Sequence, residues 1–214
     1  SFIFIFFSNQ YTFVDFYEFK KLVLIATPLA LIGLIDDKLN LKSLTRYSVQ
    51  ILTGILILKY IEGGYYSLSF ENFSRTNYFL ATIILVIFIT AVINFINFMD
   101  GIDGLVAGVL VISFSYIAIT SFPFLYFLVG SLIGFLILNW NPAKVFMGDI
   151  GSTYLGCIYA GLILMPNSIE LSFKFILIGT PLFADSFLCI LRRYFHKQNI
   201  FKPHKLHLYQ RLVQ

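Results

Sequence analysis

The sequence predicts an all-α fold, a polytopic transmembrane helix bundle with its acid- and histidine-bearing loops expected on the cytoplasmic side, and three observations lead there. Hydrophobic residues make up 58 % of the chain and charged residues 12 %, with mean hydropathy +0.85; a soluble domain carries about 25 % charged residues. The apolar runs hold Gly, Pro and Ser inside them, and their lengths suit helices in lipid better than outer-membrane strands. Finally, the polar stretches that carry acids and histidines follow alternate runs.

Residues 1–7, S-F-I-F-I-F-F, read as the tail of a helix. With no Met at position 1 and no signal peptide, the chain is expected to be a fragment truncated at both ends. Residues 8–21 are polar enough for a loop. An apolar helix over about 22–35 then runs into G-L-I-D-D-K-L-N-L-K, where Asp36, Asp37, Lys38 and Lys42 mark a return to water. The next helix covers about 43–61 and is amphipathic in its first turns through Arg46 and Gln50. Residues 62–77 form a loop in which Gly63, Gly64 and the alternating Y-S-L-S-F suit a small hairpin. A span over about 78–99 follows, and then a helical hairpin, 105–120 and 122–138, broken at Ser121 and Pro123. A polar connection occupies 139–152, helices are expected over about 153–165 and 171–191, and 192–214 is a basic, wet tail. All of it reads as a single integral membrane domain, although several runs fall short of the roughly 20 residues a crossing needs.

If each helix reverses the face, the stretches of Asp36 and Asp37, of Asp100 and Asp103, of Asp149, and of His204 and His207 share one side. That side carries Lys38, Lys42, Arg46, Lys144, Arg192, Arg193, Lys197, Lys202, Lys205 and Arg211. The other has Lys20, Lys21, Lys59, Arg75 and Lys174, so the acid-bearing side is expected to be cytoplasmic. Five of the eleven acids join the bases there, which a simple basic anchor does not need. The net charge of +4 reflects these helix ends. No basic stripe with interleaved aromatics supports nucleic-acid binding. Cys157 and Cys189 lie within apolar runs without paired spacing and read as small core residues.

The stretch N-F-I-N-F-M-D-G-I-D-G-L-V-A-G sets Asn94, Asn97, Asp100 and Asp103 three apart, along one slowly drifting helical stripe that can face a cavity. Acids at membrane depth are costly unless they line a polar cavity or hold a cation. The plainer reading of the same residues is two D-G turns in a connecting loop. Carboxylates with water and substrate oxygens are the usual setting for Mg²⁺, and histidine and arginine stabilise charge on phosphoryl oxygens. Gly148 and Gly151 flank Asp149, and with Ser152 opening a helix the backbone N–H groups there could approach a phosphate. Phe146 offers a ring for stacking on a nucleobase or is an interface aromatic. His204 and His207, spaced i and i+3, share a helical face as metal ligands or phosphate donors, or belong to a solvated tail. Asp185 reads as a buried ion-pair or capping residue.

Together G-L-I-D-D-K, N-F-I-N-F-M-D-G-I-D-G-L, N-W-N-P-A-K-V-F-M-G-D-I-G-S and H-K-L-H-L-Y-Q-R-L resemble, in order, the polyprenyl-phosphate N-acetylhexosamine-1-phosphate transferases. That family includes the phospho-MurNAc-pentapeptide translocase and the enzymes that initiate O-antigen and related glycans. The resemblance implies a Mg-dependent phosphotransferase in the bacterial inner membrane, its active site facing the cytoplasm. It would move a sugar-1-phosphate from a UDP-sugar to polyprenyl (undecaprenyl) phosphate and release UMP. It further implies Asp149 as the Mg²⁺ ligand, with Mn²⁺ as the alternative ion, and Phe146 stacking on uracil. Asn97, Asp100 and Asp103 would contact the nucleotide with help from Asn139, and Asn94 and Arg211 would join the substrate-binding set. Asp36 and Asp37 would meet the lipid phosphate, one of them a candidate general base, and His204 and His207 would hold the diphosphate. The His-x-x-His tail is similar to the O-antigen-initiating branch, which points to a UDP-N-acetylhexosamine donor; the alternative is phospho-MurNAc-pentapeptide transfer. A homodimer is the candidate assembly. From another class, an ion-conducting transporter would need carboxylates spread through the bilayer depth, whereas only Asp185 lies deep. An inactive family-like subunit is the third reading.

Overall fold

The computed structural model describes residues 13–60 and 75–196, and the regular structure within them is entirely helical. Helix α1 (Phe13–Leu39) corrects the sequence reading at both ends. Residues 13–21 are not a loop, because their charges support a helix. Asp15 lies in the first turn, where the helix dipole favours an acid. Glu18 pairs with Lys21 at 2.8 Å, and the Lys20 ammonium sits 4.6 Å from the centre of the Phe16 ring. At the far end the helix runs past the apolar stretch to Leu39, so Asp36 and Asp37 are helical residues. Asn40, at φ 48°, closes it by donating its N–H to the Asp36 carbonyl at 2.9 Å, a left-handed cap of the kind Asn tolerates.

Helix α2 (Ser43–Tyr60) follows a three-residue turn, and α3 (Arg75–Met99) begins before the expected span. The hairpin expected over 62–77 lies, up to residue 74, outside the described residues. Helix α4 (Leu105–Thr120) is joined by a short 3₁₀ turn (Pro123–Leu125) to α5 (Tyr126–Asn139). Helix α6 (Gly148–Leu164) opens five residues before the expected start, placing Asp149 in its first turn and Ser152 inside it. The expected single helix over 171–191 is two, α7 (Ile169–Ile178) and α8 (Thr180–Phe195), bent by 77° around Gly179. Pro181 explains the break, since it has no N–H for the Leu177 carbonyl and suits the first turn of a new helix. The Thr180 hydroxyl donates to that carbonyl instead, at 2.6 Å.

Helix α6 is the axis of the bundle. From Leu155 to Ile163 every residue is buried, as expected of a helix apolar on all sides. It packs chiefly against α1 and α3, with α2 filling in beside those two, α4 and α5 forming a hairpin, and α8 lying along α3. Tyr159 anchors the middle: its ring lies 5.7 Å from that of Phe114 and its hydroxyl donates to the Phe175 carbonyl at 2.6 Å. Cys157 and Cys189 are buried free thiols, as core residues should be.

The outside of the bundle is made for lipid. Asn77–Met99 within α3 is, among the described residues, the single unbroken helix long and apolar enough to cross a membrane, with mean hydropathy 2.8. Only 28 % of that apolar window is buried, whereas the core helix of a soluble protein would be mostly covered. The bent pair Ile169–Ile178 and Thr180–Arg193 passes the same test taken together. Leu24, Ile84, Ile112, Phe127 and Ile137 are each more than half exposed. The protein is thus all-α and membrane-associated.

Candidate active site

Two backbone features bring the acids together. Helix α1 crosses the first turn of α6 at Gly33, where a Cβ would stand 2.6 Å from the Ile150 nitrogen and 2.7 Å from the Asp149 carbonyl. A hydrogen in that position lets the two backbones touch, and Asp36, three residues on, then lies against Asp149. Gly148 opens α6 at φ 64°, a conformation glycine adopts without strain, and a Cβ there would meet the Asp37 carboxylate at 2.7 Å.

Asp37 accepts the Asp149 N–H at 3.1 Å. A carboxylate from α1 therefore sits at the positive end of α6, where helix N–H groups lack intrahelical partners. Ser152 does not open the helix as expected, and of the N–H groups expected to approach a phosphate, that of Asp149 meets a carboxylate. Ser152 is fully buried, donating to the Gly148 carbonyl at 2.8 Å.

The expected stripe of four residues on one helix is also shorter, because α3 ends at Met99 and a turn ending in left-handed Gly104 follows. Asn97 reaches the site: its amide nitrogen donates to Asp149 Oδ1 at 2.7 Å and to Ser152 Oγ at 2.9 Å. Asn94 lies a turn deeper, donating to Gln50 Oε1 at 2.7 Å and to the Thr90 carbonyl at 2.7 Å. Asp100, in the turn, still faces the start of α6. Burial, then the negative charges of Asp149 and Asp37, push its carboxyl up to about 6 against the pull of the Gly148 N–H.

Asp103 and Asn139 stand apart from this group. Asp103 Oδ2 accepts the Ala143 N–H at 2.9 Å, while Asn139 Oδ1 accepts the Gly104 N–H at 3.0 Å and its nitrogen donates to the Val145 carbonyl at 2.9 Å. The two side chains stitch the 100–104 turn to the 140–147 connection. That connection presents Phe146, 73 % exposed, just before the first turn of α6. His204, His207 and Arg211 lie outside the described residues.

Arg46 is the member of this cluster that sequence reasoning missed, having read it as one more base of the cytoplasmic side. Its Nη1 donates to Asp36 Oδ2 at 2.8 Å and to Asp149 Oδ2 at 3.1 Å, joining α2 to α1 and α6. The available signal was its spacing from Gln50, one turn on and on the same face of α2. Burial raises both carboxyls, with different outcomes. For Asp36 it is outweighed by the hydrogen bond with Asp149, the Leu41 N–H at 2.6 Å and Arg46, which hold it below the usual range. For Asp149, burial and the neighbouring Asp36 win over Asn97 and Arg46, so it is raised.

Asp36, Arg46, Gln50, Asn94, Asn97 and Asp149 line a small cavity, about 40 Å³, room for a few waters. Among the described residues no three His, Cys, Asp or Glu side chains close on one point as a metal cage. Mg²⁺ seldom uses such a cage; it takes one or two carboxylates and completes its shell with water and substrate phosphate oxygens. An all-oxygen donor set with Asp149 at its centre and Asp100 beside it fits that habit.

The description of glycosyl transferase family 4 matches residues 19–167, from the early turns of α1 to just past the end of α6. The chain is 31 % identical over 196 residues to a "Probable undecaprenyl-phosphate N-acetylglucosaminyl 1-phosphate transferase" of Bacillus subtilis (strain 168), covering 85 % of this chain and 54 % of the relative. It is 42 % identical over 115 residues to a "Phospho-N-acetylmuramoyl-pentapeptide-transferase" of Staphylococcus carnosus (strain TM300), covering 49 % of this chain and 35 % of the relative. A protein of that same name from Latilactobacillus sakei subsp. sakei (strain 23K) is 30 % identical over 200 residues, 83 % of this chain and 61 % of the relative. The chain thus spans less than two thirds of the length of each. With the family description covering most of the chain and the motif residues gathered at the head of α6, the chain belongs to glycosyl transferase family 4, the polyprenyl-phosphate sugar-1-phosphate transferases.

Proposed function

We propose that the protein transfers a sugar-1-phosphate from a UDP-N-acetylhexosamine-type donor to polyprenyl phosphate and releases UMP, at the cytoplasmic face of the bacterial membrane. The observation that carries this reading is the meeting of Asp36, Asp37, Asn97, Asp100 and Asp149, from three separate helices and a turn, at the head of α6. An oxygen of the lipid phosphate attacks the donor phosphorus that bears the sugar, a new P–O bond forms, and the bond to the bridging oxygen breaks with its electron pair leaving on UMP. Both reactants are anions, so the site has to offset their repulsion. Asp149 and Asp100 would hold Mg²⁺, which when bound neutralises charge on the diphosphate.

The remaining residues orient. Asn97 fixes the Asp149 carboxylate by binding Oδ1. Asp36 is buried and paired with Arg46, which suits a positioning group better than a base. The lipid phosphate is already ionised near neutral pH, so a base is not required. Phe146, exposed beside the head of α6, presents a ring face for uracil.

Between donors, the names of the relatives weigh toward phospho-N-acetylmuramoyl-pentapeptide transfer, which the Staphylococcus carnosus and Latilactobacillus sakei proteins both carry. The N-acetylglucosaminyl reading, and with it initiation of O-antigen or another envelope glycan, rests on the Bacillus subtilis relative and on the His204-x-x-His207 tail. Membranes holding the full-length protein, offered a panel of UDP-sugars with Mg²⁺, are expected to form one lipid-diphosphate-sugar product by mass spectrometry. Release of no UMP with any donor would contradict the reading.

A further inference from the structure

We propose that Arg46 is a resident counter-cation of this site, bridging Asp36 and Asp149 in the metal-free protein and giving up Asp149 when a divalent cation arrives. The inference rests on the cation assigned above and goes beyond it. Both oxygens of Asp149 are engaged, Oδ1 by the Asn97 amide at 2.7 Å and Oδ2 by Arg46 Nη1 at 3.1 Å. A carboxylate oxygen can accept a hydrogen bond and still ligate a metal, so a cation at Asp149 dislodges not whichever oxygen is engaged but the partner least compatible with its charge and least firmly held.

Geometry and charge select Arg46. Asn97 is half-buried and held a second time by Ser152, itself fully buried, at 2.9 Å. The Arg46 side chain is 37 % exposed, keeps its shorter contact with Asp36 at 2.8 Å, and has a long stem that can swing while that contact persists. A guanidinium also repels an incoming cation, whereas a neutral amide does not. In the absence of metal the same positive charge offsets the mutual repulsion of Asp36 and Asp149, which their burial strengthens. Arg46 thus acts through the metal ligand as a positioning residue: it lets the acids stay folded against one another without a cation, and it competes with that cation.

The test compares full-length wild type, Arg46→Gln and Arg46→Lys in detergent. Mn²⁺ binding is read by electron paramagnetic resonance without nucleotide or lipid, and the unfolding midpoint is taken in EDTA and in Mg²⁺. Arg46→Gln is expected to bind Mn²⁺ about tenfold more tightly than wild type, to unfold at a lower temperature in EDTA, and to recover that gap in Mg²⁺. Arg46→Lys, which keeps the charge without the rigid fork, should fall between the two. Equal or weaker Mn²⁺ binding by Arg46→Gln while wild type binds overturns the proposal and leaves the metal reading standing. A midpoint lowered equally in EDTA and in Mg²⁺ marks a purely structural ion pair and also overturns it. Failure of every form to bind Mn²⁺ removes both. Should Arg46→Gln not fold, Arg46→Lys decides, with tighter binding supporting the proposal and equal or weaker binding overturning it.

Discussion

Asp149 and Asp103 both sit in polar stretches of the chain, beside glycines, yet the structure uses them differently. Asp149 lies at the head of α6 with Arg46, Asn97 and Asp36 around it, beside a small cavity. Asp103 accepts one backbone N–H, that of Ala143, and with Asn139 binds two loops together. The first group gathers charge where α1, α2, α3 and α6 meet, and the second holds the loops that frame it. An acidic residue in a motif is therefore not by that fact a reacting group; its neighbours decide.

The contrast yields effects of descending size. Asp149→Asn keeps the shape and the Asn97 contact but removes the charge that would hold the cation, and a loss of about a thousandfold or more in kcat is expected with the fold retained. Measured UMP release within tenfold of wild type would move the metal elsewhere. Gly33→Ala pushes a methyl group into the backbone at Asp149 and Ile150. Forcing the helices apart should cost about 1–3 kcal/mol of stability and most of the turnover, read by thermal unfolding and UMP release. A full-activity Gly33→Ala protein would mean that the close crossing is dispensable.

Asp103→Ala leaves the Ala143 N–H without its acceptor and should destabilise by about 1–3 kcal/mol, while raising KM for the nucleotide donor more than it lowers kcat, because the loop carrying Phe146 loosens. The smallest effect concerns Asp100. Its carboxyl is raised from 3.8 to about 6 in the folded protein, so the folded state holds its proton longer than the unfolded state does. Its contribution to stability is therefore lost as pH rises through that window. Asp100→Asn should raise the unfolding midpoint of the cation-free protein at pH 7.5, by a few degrees, and change it little at pH 4. An effect independent of pH would show that charge burial is not the cause.

What could be read from the chain follows the range of the interactions. Helix α4 matches the expected 105–120 because an unbroken apolar run bounded by glycine and proline is a local signal. The start of α1 escaped because Glu18, Lys20 and Lys21 look like loop residues until their i,i+3 and ring contacts are seen. The opening of α6 at Gly148 escaped because the acceptor at its end is Asp37, 112 residues away, and a cap supplied by another helix leaves no local trace. The bend at Gly179 was legible in principle, in a Gly-Thr-Pro set inside an apolar run. Asp36, Asp37, Asn97, Asp100 and Asp149 do meet. The role of Arg46 needed the folded chain, since its partners lie ten and 103 residues away.

The most direct measurement is UMP release from a UDP-N-acetylhexosamine donor and polyprenyl phosphate by full-length Asp149→Asn and Asp103→Ala proteins, assayed side by side with their unfolding midpoints. The account predicts that Asp149→Asn folds normally and loses nearly all kcat, whereas Asp103→Ala melts lower and keeps kcat within about tenfold of wild type. The opposite pattern, with Asp103 indispensable for turnover and Asp149 merely structural, would contradict it.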